Sequence, residues 1–249
     1  MGAARSRRRA APRLLSADAE TRQQRFVYGR RRGRKLRAGQ QELWRRLLPR
    51  LRFALPEAGT LAPAALFDRP VDAVALEIGF GAGEHLAAQA AAHPETGFIG
   101  SEVFENGIAK LLAEIEQRQL SNIRLFIDDA RLLLAALSEA SLARVFILFP
   151  DPWPKLRHHK RRIVATATLD ALARVMIDGG ELRLATDDRD YLAWMLDHAT
   201  RHPEFEWLAR RPSDWRTRPA DWPETRYEQK AIAAGRNPVF LRCRRRPRT

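Results

Sequence analysis

The chain has 249 residues and a mass of 28.4 kDa, room for one large domain with extensions and a sizeable core. Hydrophobic residues make up 45% and charged residues 30%, and no apolar run reaches the roughly 18 residues of a membrane span, which argues against an integral membrane protein. A single cysteine, Cys243, excludes an internal disulfide framework and a cysteine-rich zinc site, and the net charge of +14 sits mostly at the two ends.

Residues 1–50 hold 16 basic and 3 acidic side chains. Residues 240–249 add five arginines and no acid, so the middle is slightly acidic. Basic extensions on such a globule suit a polyanionic partner, nucleic acid first; a solubility tail or an arginine-biased composition is the alternative.

Residues 1–25 are rich in Arg, Ala and Gln and are expected to be a basic, disordered arm ahead of one domain over 26–249. Within the arm, the acid-free start and the Met1–Ser6 stretch match transit-peptide and myristoylation patterns only weakly. Residues 26–39 mix aromatics with clustered Arg and Gly. Leu43, Trp44, Leu47, Leu48 and Leu51 recur at helical spacing, which predicts a helix docking one face on a core.

From residue 71 short apolar runs alternate with helical segments. Strands are predicted over Ala73–Ile78, Thr96–Val103, Ile123–Ile127, Ala143–Phe149 and Gly180–Thr186. Helices are predicted over Glu84–Ala92, Asn106–Gln119, Ala130–Leu137, Ala165–Met176 and Arg189–His202. Phe205–Ala209 and Val239–Arg244 read as two last strands around a long loop rich in Trp, Pro and Arg. The run ARVFILF is the most continuously apolar and predicts the sheet centre. Alternating β and α units imply a parallel sheet with helices on both faces, its strand ends gathered on one ligand-binding edge.

The first strand runs into Glu77-Ile78-Gly79-Phe80-Gly81-Ala82-Gly83. Counted from Gly79 or from Gly81, it fails the G-x-G-x-x-G or A of a dinucleotide turn. The E-x-G-x-G-x-G form resembles the S-adenosylmethionine turn of class I methyltransferases. Acids follow at further strand ends: Glu102, Asp128 with Asp129, and Asp151. A carboxylate at the second strand end can accept ribose hydroxyls, and one at the third can accept from an adenine amino group. Each acid alone suits a helix N-cap; together they predict a cofactor cleft fit for a cationic sulfonium.

The segment FPDPWPKLRHHKRR (149–162), with Thr225-Arg226-Tyr227-Glu228, resembles the bacterial tRNA (guanine-N7)-methyltransferase family of the TrmB type. The resemblance spans roughly 26–245, with Tyr227 where Phe is frequent and Ala82 and Pro154 at variable positions. It implies a Rossmann-like class I methyltransferase with a seven-stranded, mostly parallel sheet whose last strand is antiparallel. It further implies S-adenosylmethionine contacts by Glu77, Glu102, Asp129 and Asp151 beside Gly79, Gly81 and Gly83, with Asp151 also catalytic. Lys155, Asp187, Thr225, Arg226, Tyr227 and Glu228 would bind substrate. The implied reaction methylates N7 of guanine 46 in the tRNA variable loop. That base has a major-groove lone pair and needs no deprotonation, so in-line displacement governed by alignment is expected.

The remaining expectations are a monomer in the cytoplasm, with tRNA as partner and neither membrane nor metal involved. Lys155, Arg157, Lys160, Arg161 and Arg162 are read as phosphate contacts, with a solvated loop as the alternative. Trp215, Trp222 and Tyr227 could stack on a base; Trp194 and Trp207 are assigned to the core. His158 and His159 form no metal pattern, and Cys243 is read as a structural thiol. Two competing functions are a methyltransferase for small molecules or proteins, and a non-catalytic RNA-binding subunit.

Overall fold

The computed structural model describes residues 28–249. The expected N-terminal arm, with its targeting-like patterns, lies outside the described residues. The described chain opens with helices α1 (Ala38–Arg46) and α2 (Leu48–Leu51). The single helical run expected there is split at Pro49, which has no N–H to continue a helical ladder and sits in the first turn of α2. Leu47, Leu48 and Leu51 are buried against Ile108, Leu111, Leu112 and Ile115, so this region does dock by one face.

The sheet follows the order β3-β2-β1-β4-β5-β7-β6. Its strands are β1 (Ala73–Ile78), β2 (Thr96–Ser101), β3 (Ile123–Phe126), β4 (Leu142–Leu148), β5 (Met176–Thr186), β6 (Phe205–Trp207) and β7 (Val239–Arg245). β1 to β5 pair in parallel, and β7 runs antiparallel between β5 and β6. This is the Rossmann-like class I methyltransferase arrangement. β4 is the central strand, as its apolar run predicts. Val145 and Ile147 enter one core cluster and Phe146 the other, each almost fully buried, as a strand covered on both faces requires.

Helices α3 (Glu84–Ala92), α4 (Glu105–Arg118), α5 (Ala130–Ala136), α6 (Thr166–Val175) and α7 (Arg189–Arg201) connect the strands. Strand order reverses between β1 and β4, so a crevice opens beyond their C-terminal ends. β5 begins four residues before the predicted Gly180: Met176 pairs with Leu142, and a register shift follows before Glu181 pairs with Arg144. The long loop before β7 contains two helices that its composition does not announce, α8 (Ser213–Arg216) and α9 (Arg226–Ala233). Thr225 caps α9, its hydroxyl accepting from the Glu228 N–H at 3.3 Å. Thr-x-x-Glu is a helix-start signal that could have revealed α9.

The C-terminal arginines lie at the end of the sheet away from the crevice. β7 is antiparallel, so Val239 pairs with Thr186 at the crevice edge while Arg244 lies opposite Glu181 at the other end. Arg245 is buried, with Glu204 at 3.0 Å and Asp178 at 3.4 Å. Arg242 pairs with Glu181, and Arg248 with Asp178 and three backbone carbonyls. Arg242, Arg245 and Arg248 are thus tied to acids at the end of the sheet away from the crevice. Among the described residues, no helix is long and apolar enough to cross a membrane.

Candidate active site

A cleft of about 390 Å³ lies over the C-terminal ends of β1 to β4. Its floor is the turn from β1 to α3, where Gly79, Gly81 and Gly83 adopt φ of +72°, +57° and +79°. Side chains rarely tolerate those angles. Close approach adds a second constraint at Gly81, where a Cβ would come within 3.2 Å of the Tyr227 ring. On the other side, a Cβ on Gly107 of α4 would sit 2.0 Å from the Gly81 carbonyl oxygen. The backbone of α4 therefore rests directly on the turn. Gly107→Ala is expected to push the two apart at a cost of about 1–3 kcal/mol, lowering Tm by several degrees. Melting of the ligand-free protein checks this; an unchanged Tm would mean the turn yields freely.

Four carboxylates from successive strand ends line the cleft: Glu77, Glu102, Asp129 and Asp151, with Asp128 beside them. Glu102 is wrapped in backbone donors. Gly81 N–H donates to one oxygen at 2.8 Å, and the Val103 and Phe104 N–H groups donate to the other at 2.7 and 3.0 Å. Burial nevertheless holds its carboxyl above the usual carboxylate range, with the Asp151 charge acting in the same direction. Asp129 caps α5, accepting from the Arg131 N–H at 3.0 Å and pairing with its guanidinium at 3.3 Å. Asp128 accepts from the Asp129 N–H at 2.9 Å and pairs with Arg31 at 3.5 Å. Glu77 is buried, and one of its oxygens lies 2.7 Å from His85 Nδ1.

Asp151 is exposed on the loop leaving β4. Phe149 and Trp153, two residues to either side, have φ of +50° and +46°. Positive φ at bulky residues is costly and persists only where packing enforces it. Here the Phe149 ring meets Phe240, and the Trp153 ring carries the Arg161 guanidinium at 4.8 Å. Arg161 also lies 5.1 Å from the Tyr28 ring. Tyr28, Trp153 and Arg161 together form one wall of the cleft. No motif in the sequence assigns this wall, although aromatics interleaved with Arg in FVYGRRR and PDPW hint at it.

Of the remaining expected site residues, Thr225 and Tyr227 line the cleft. Burial raises the Tyr227 hydroxyl, and the charges of Glu102, Asp151 and Glu84 push the same way. Arg226, Glu228, Lys155 and Asp187 do not line it. The Arg226 side chain turns back to Glu84 at 2.8 Å. Glu228 is buried against Arg218 at 3.2 Å, and burial raises its carboxyl. Asp187 pairs with Arg236 at 2.6 Å beside a separate small cavity. Lys155 is exposed, next to the turn Leu156–Arg161.

Four expectations about basic and aromatic residues need correction. Arg162 is 1% exposed, lies over the Tyr191 and Trp194 rings, and pairs with Asp190, so it is an internal strut rather than a phosphate contact. Arg161 is claimed by the cleft wall, which leaves Lys155, Arg157 and Lys160 as the exposed bases of that run. Trp222 is buried against Phe240 and Ala185 and cannot stack on a base. Trp194, Trp207 and also Trp215 pack against the main core. Cys243 is buried, its thiol pushed up to about 12 by burial, which suits an inert structural role.

A family described as "Putative methyltransferase" matches residues 72–241. Curated relatives named tRNA (guanine-N(7)-)-methyltransferase include one from Rhodospirillum rubrum, 56% identical over 224 residues, covering 89% of this chain and 88% of that protein. Another from Paramagnetospirillum magneticum is 54% identical, covering 89% and 93% of the two chains. A third from Rhodopseudomonas palustris is 51% identical, covering 92% of each.

Proposed function

Because the chain belongs to the tRNA (guanine-N(7)-)-methyltransferase family, we propose that its cleft binds S-adenosylmethionine and methylates N7 of guanine 46 in the variable loop of tRNA. The observation that carries this is the ring of carboxylates from four strand ends around a glycine turn, with exposed bases at the rim.

The residues present fit the cofactor. The acids offer acceptors for an ammonium, two ribose hydroxyls and an adenine amino group. Their combined charge suits a sulfonium, and the glycine floor lets backbone approach closely. Glu77 would hold the methionine end, Glu102 the ribose and Asp129 the adenine. When bound, S-adenosylmethionine supplies an electrophilic methyl group. Asp151 would orient the guanine and stabilise the positive charge developing on its ring as N7 is alkylated. Tyr227 and Thr225 would border the base. Lys155, Arg157 and Lys160 would hold backbone phosphates, positioning RNA without reading sequence. Arg226, Glu228 and Asp187 would act indirectly, through Glu84, Arg218 and Arg236.

Unmodified tRNA transcript incubated with the protein and methyl-labelled S-adenosylmethionine should acquire 7-methylguanosine at position 46, mapped by borohydride and aniline cleavage. Label on another base, or none, would overturn the assignment. Salt provides a second test. Replacing Lys155, Arg157 and Lys160 by Ala should reduce the slope of log K against log salt by about 1 for each phosphate no longer neutralised. Arg244→Ala with Arg246→Ala, at the far sheet edge, should leave that slope unchanged. Equal slopes for all variants would place the RNA elsewhere.

A further inference from the structure

We propose that His85 is a positioning residue that holds the Glu77 carboxylate toward the cofactor and staples the glycine turn closed. The inference rests on the assignment of Glu77 as a cofactor contact.

Glu77 and His85 stand on opposite sides of the turn, one in the last residues of β1 and the other in the first turn of α3. Their side chains meet at 2.7 Å, and both are almost completely buried, at 4% and 2% exposure. The bond thus bridges a segment containing three glycines at positive φ, the part of the cleft with the most backbone freedom to lose. It also fixes a carboxylate that would otherwise lie buried with no hydrogen-bond partner among the described residues. One oxygen accepts from His85 Nδ1, the other has no hydrogen bond among the described residues, and Glu77 lines the cleft.

The surroundings of His85 explain why a histidine is there. Its ring packs edge-on to Phe146 at 4.6 Å and to Trp222 at 6.1 Å, an apolar setting that a Phe or Leu would fill. Its Nε2 is buried with no hydrogen bond among the described residues, so burial of the imidazole carries a desolvation cost. Glu77 is the one polar partner of the ring among the described residues, and serving it is what sets histidine apart from an apolar filler at this site. For Nδ1 to donate to the Glu77 carboxylate, the ring must carry a proton on Nδ1.

The same helix braces the RNA side of the cleft. Gln89, one turn after His85, donates to the Asp221 carbonyl at 2.6 Å, and Glu84 accepts from the Arg226 N–H at 2.9 Å. Those two bonds anchor the segment that carries Thr225 and Tyr227, while the His85 bond anchors the cofactor floor. A defect confined to His85 should therefore separate the two substrates.

The test compares wild type with His85→Phe, which keeps a ring but removes the donor, and His85→Asn, whose amide can still donate to Glu77. His85→Phe should weaken S-adenosylhomocysteine binding by calorimetry, and raise KM for S-adenosylmethionine, about 10-fold, the lower end for losing a bond to a charged group. The KM for tRNA and kcat at saturating cofactor should stay within about twofold. In the ligand-free protein, amides of residues 79–83 should exchange about 10-fold faster in His85→Phe, and His85→Asn should restore most of both effects. In a Glu77→Gln background, His85→Phe should add less than about a twofold effect.

If Glu77→Gln weakens cofactor binding while His85→Phe matches wild type in binding and exchange, the positioning role is overturned and the Glu77 assignment stands. If Glu77→Gln itself binds normally, both fall. A His85→Phe that lowers only Tm, or raises both KM values alike, also overturns the role. Should that variant fail to fold by circular dichroism, 15N NMR of the wild-type histidine decides: a proton on Nδ1 that shifts in Glu77→Gln supports the proposal, and a ring protonated on Nε2 alone refutes it.

Discussion

Asp151→Asn should lower kcat for tRNA methylation by about 10²- to 10³-fold, the cost of removing one well-placed electrostatic group from an active site. It should leave the fold intact. The side chain is exposed, and its backbone is held by flanking residues rather than by the carboxylate. Phe149 and Trp153 keep their positive φ through contacts with Phe240 and Arg161, none of which the substitution touches. Asn preserves size and shape and removes only the charge. The purine becomes cationic as its N7 gains a methyl group, so the charge matters most at the transition state. Cofactor affinity should change only severalfold, because Glu77, Glu102 and Asp129 remain. Single-turnover rates with saturating cofactor and tRNA, alongside calorimetry with S-adenosylhomocysteine, separate the cases. Near-normal turnover would remove Asp151 from the mechanism, and a parallel collapse of cofactor binding would reassign it to holding the donor.

The parts of this site that could be read from the sequence are those set by local chemistry and sheet topology. Apolar runs place the strands. Once they are parallel with right-handed crossovers, the acids after them must share one edge, which is how Glu77, Glu102, Asp129 and Asp151 come together. The rest depends on contacts between distant residues. That Gly107 must lack a side chain follows from the Gly81 carbonyl, 26 positions earlier in the chain. Arg162, Arg242, Arg245 and Arg248 look like surface charge in a linear sequence, yet Asp190, Glu181, Glu204 and Asp178 neutralise them in the fold. Counting charge by segment therefore overstates the basic face and misplaces part of it. The Trp- and Arg-rich stretch before β7 hid α9, because Arg226, Tyr227, Gln229 and Lys230 obscure its apolar stripe and its cap lies in a tetrapeptide with another apparent meaning.

Glu102→Ala should weaken S-adenosylmethionine binding about 100-fold or more. Two hydrogen bonds from ribose hydroxyls to a charged acceptor are together worth roughly 3 kcal/mol or more, and 1.4 kcal/mol is tenfold in affinity. The variant also strips the acceptor from the Gly81, Val103 and Phe104 N–H groups, loosening the turn that forms the floor. Acidity gives an independent check on the wild type. Burial holds this carboxyl above its ordinary 4.5, so protonation begins at a higher pH than for an exposed glutamate. Cofactor affinity should therefore fall as pH drops through a value above 4.5, and Glu102→Ala should lack that limb. Folding stability should show the opposite slope. A carboxyl whose folded pKa is raised contributes stability below the unfolded value and loses it as pH rises through the folded one. The Tm of ligand-free wild type, measured against Glu102→Ala at matched pH, should accordingly decline from pH 4.5 toward neutrality. Saturating S-adenosylhomocysteine should reverse that decline, because the ligand binds the folded, ionised form. A flat difference between the two proteins across that range would show that burial costs Glu102 nothing, and an unchanged affinity in the variant would remove the carboxylate from the ribose.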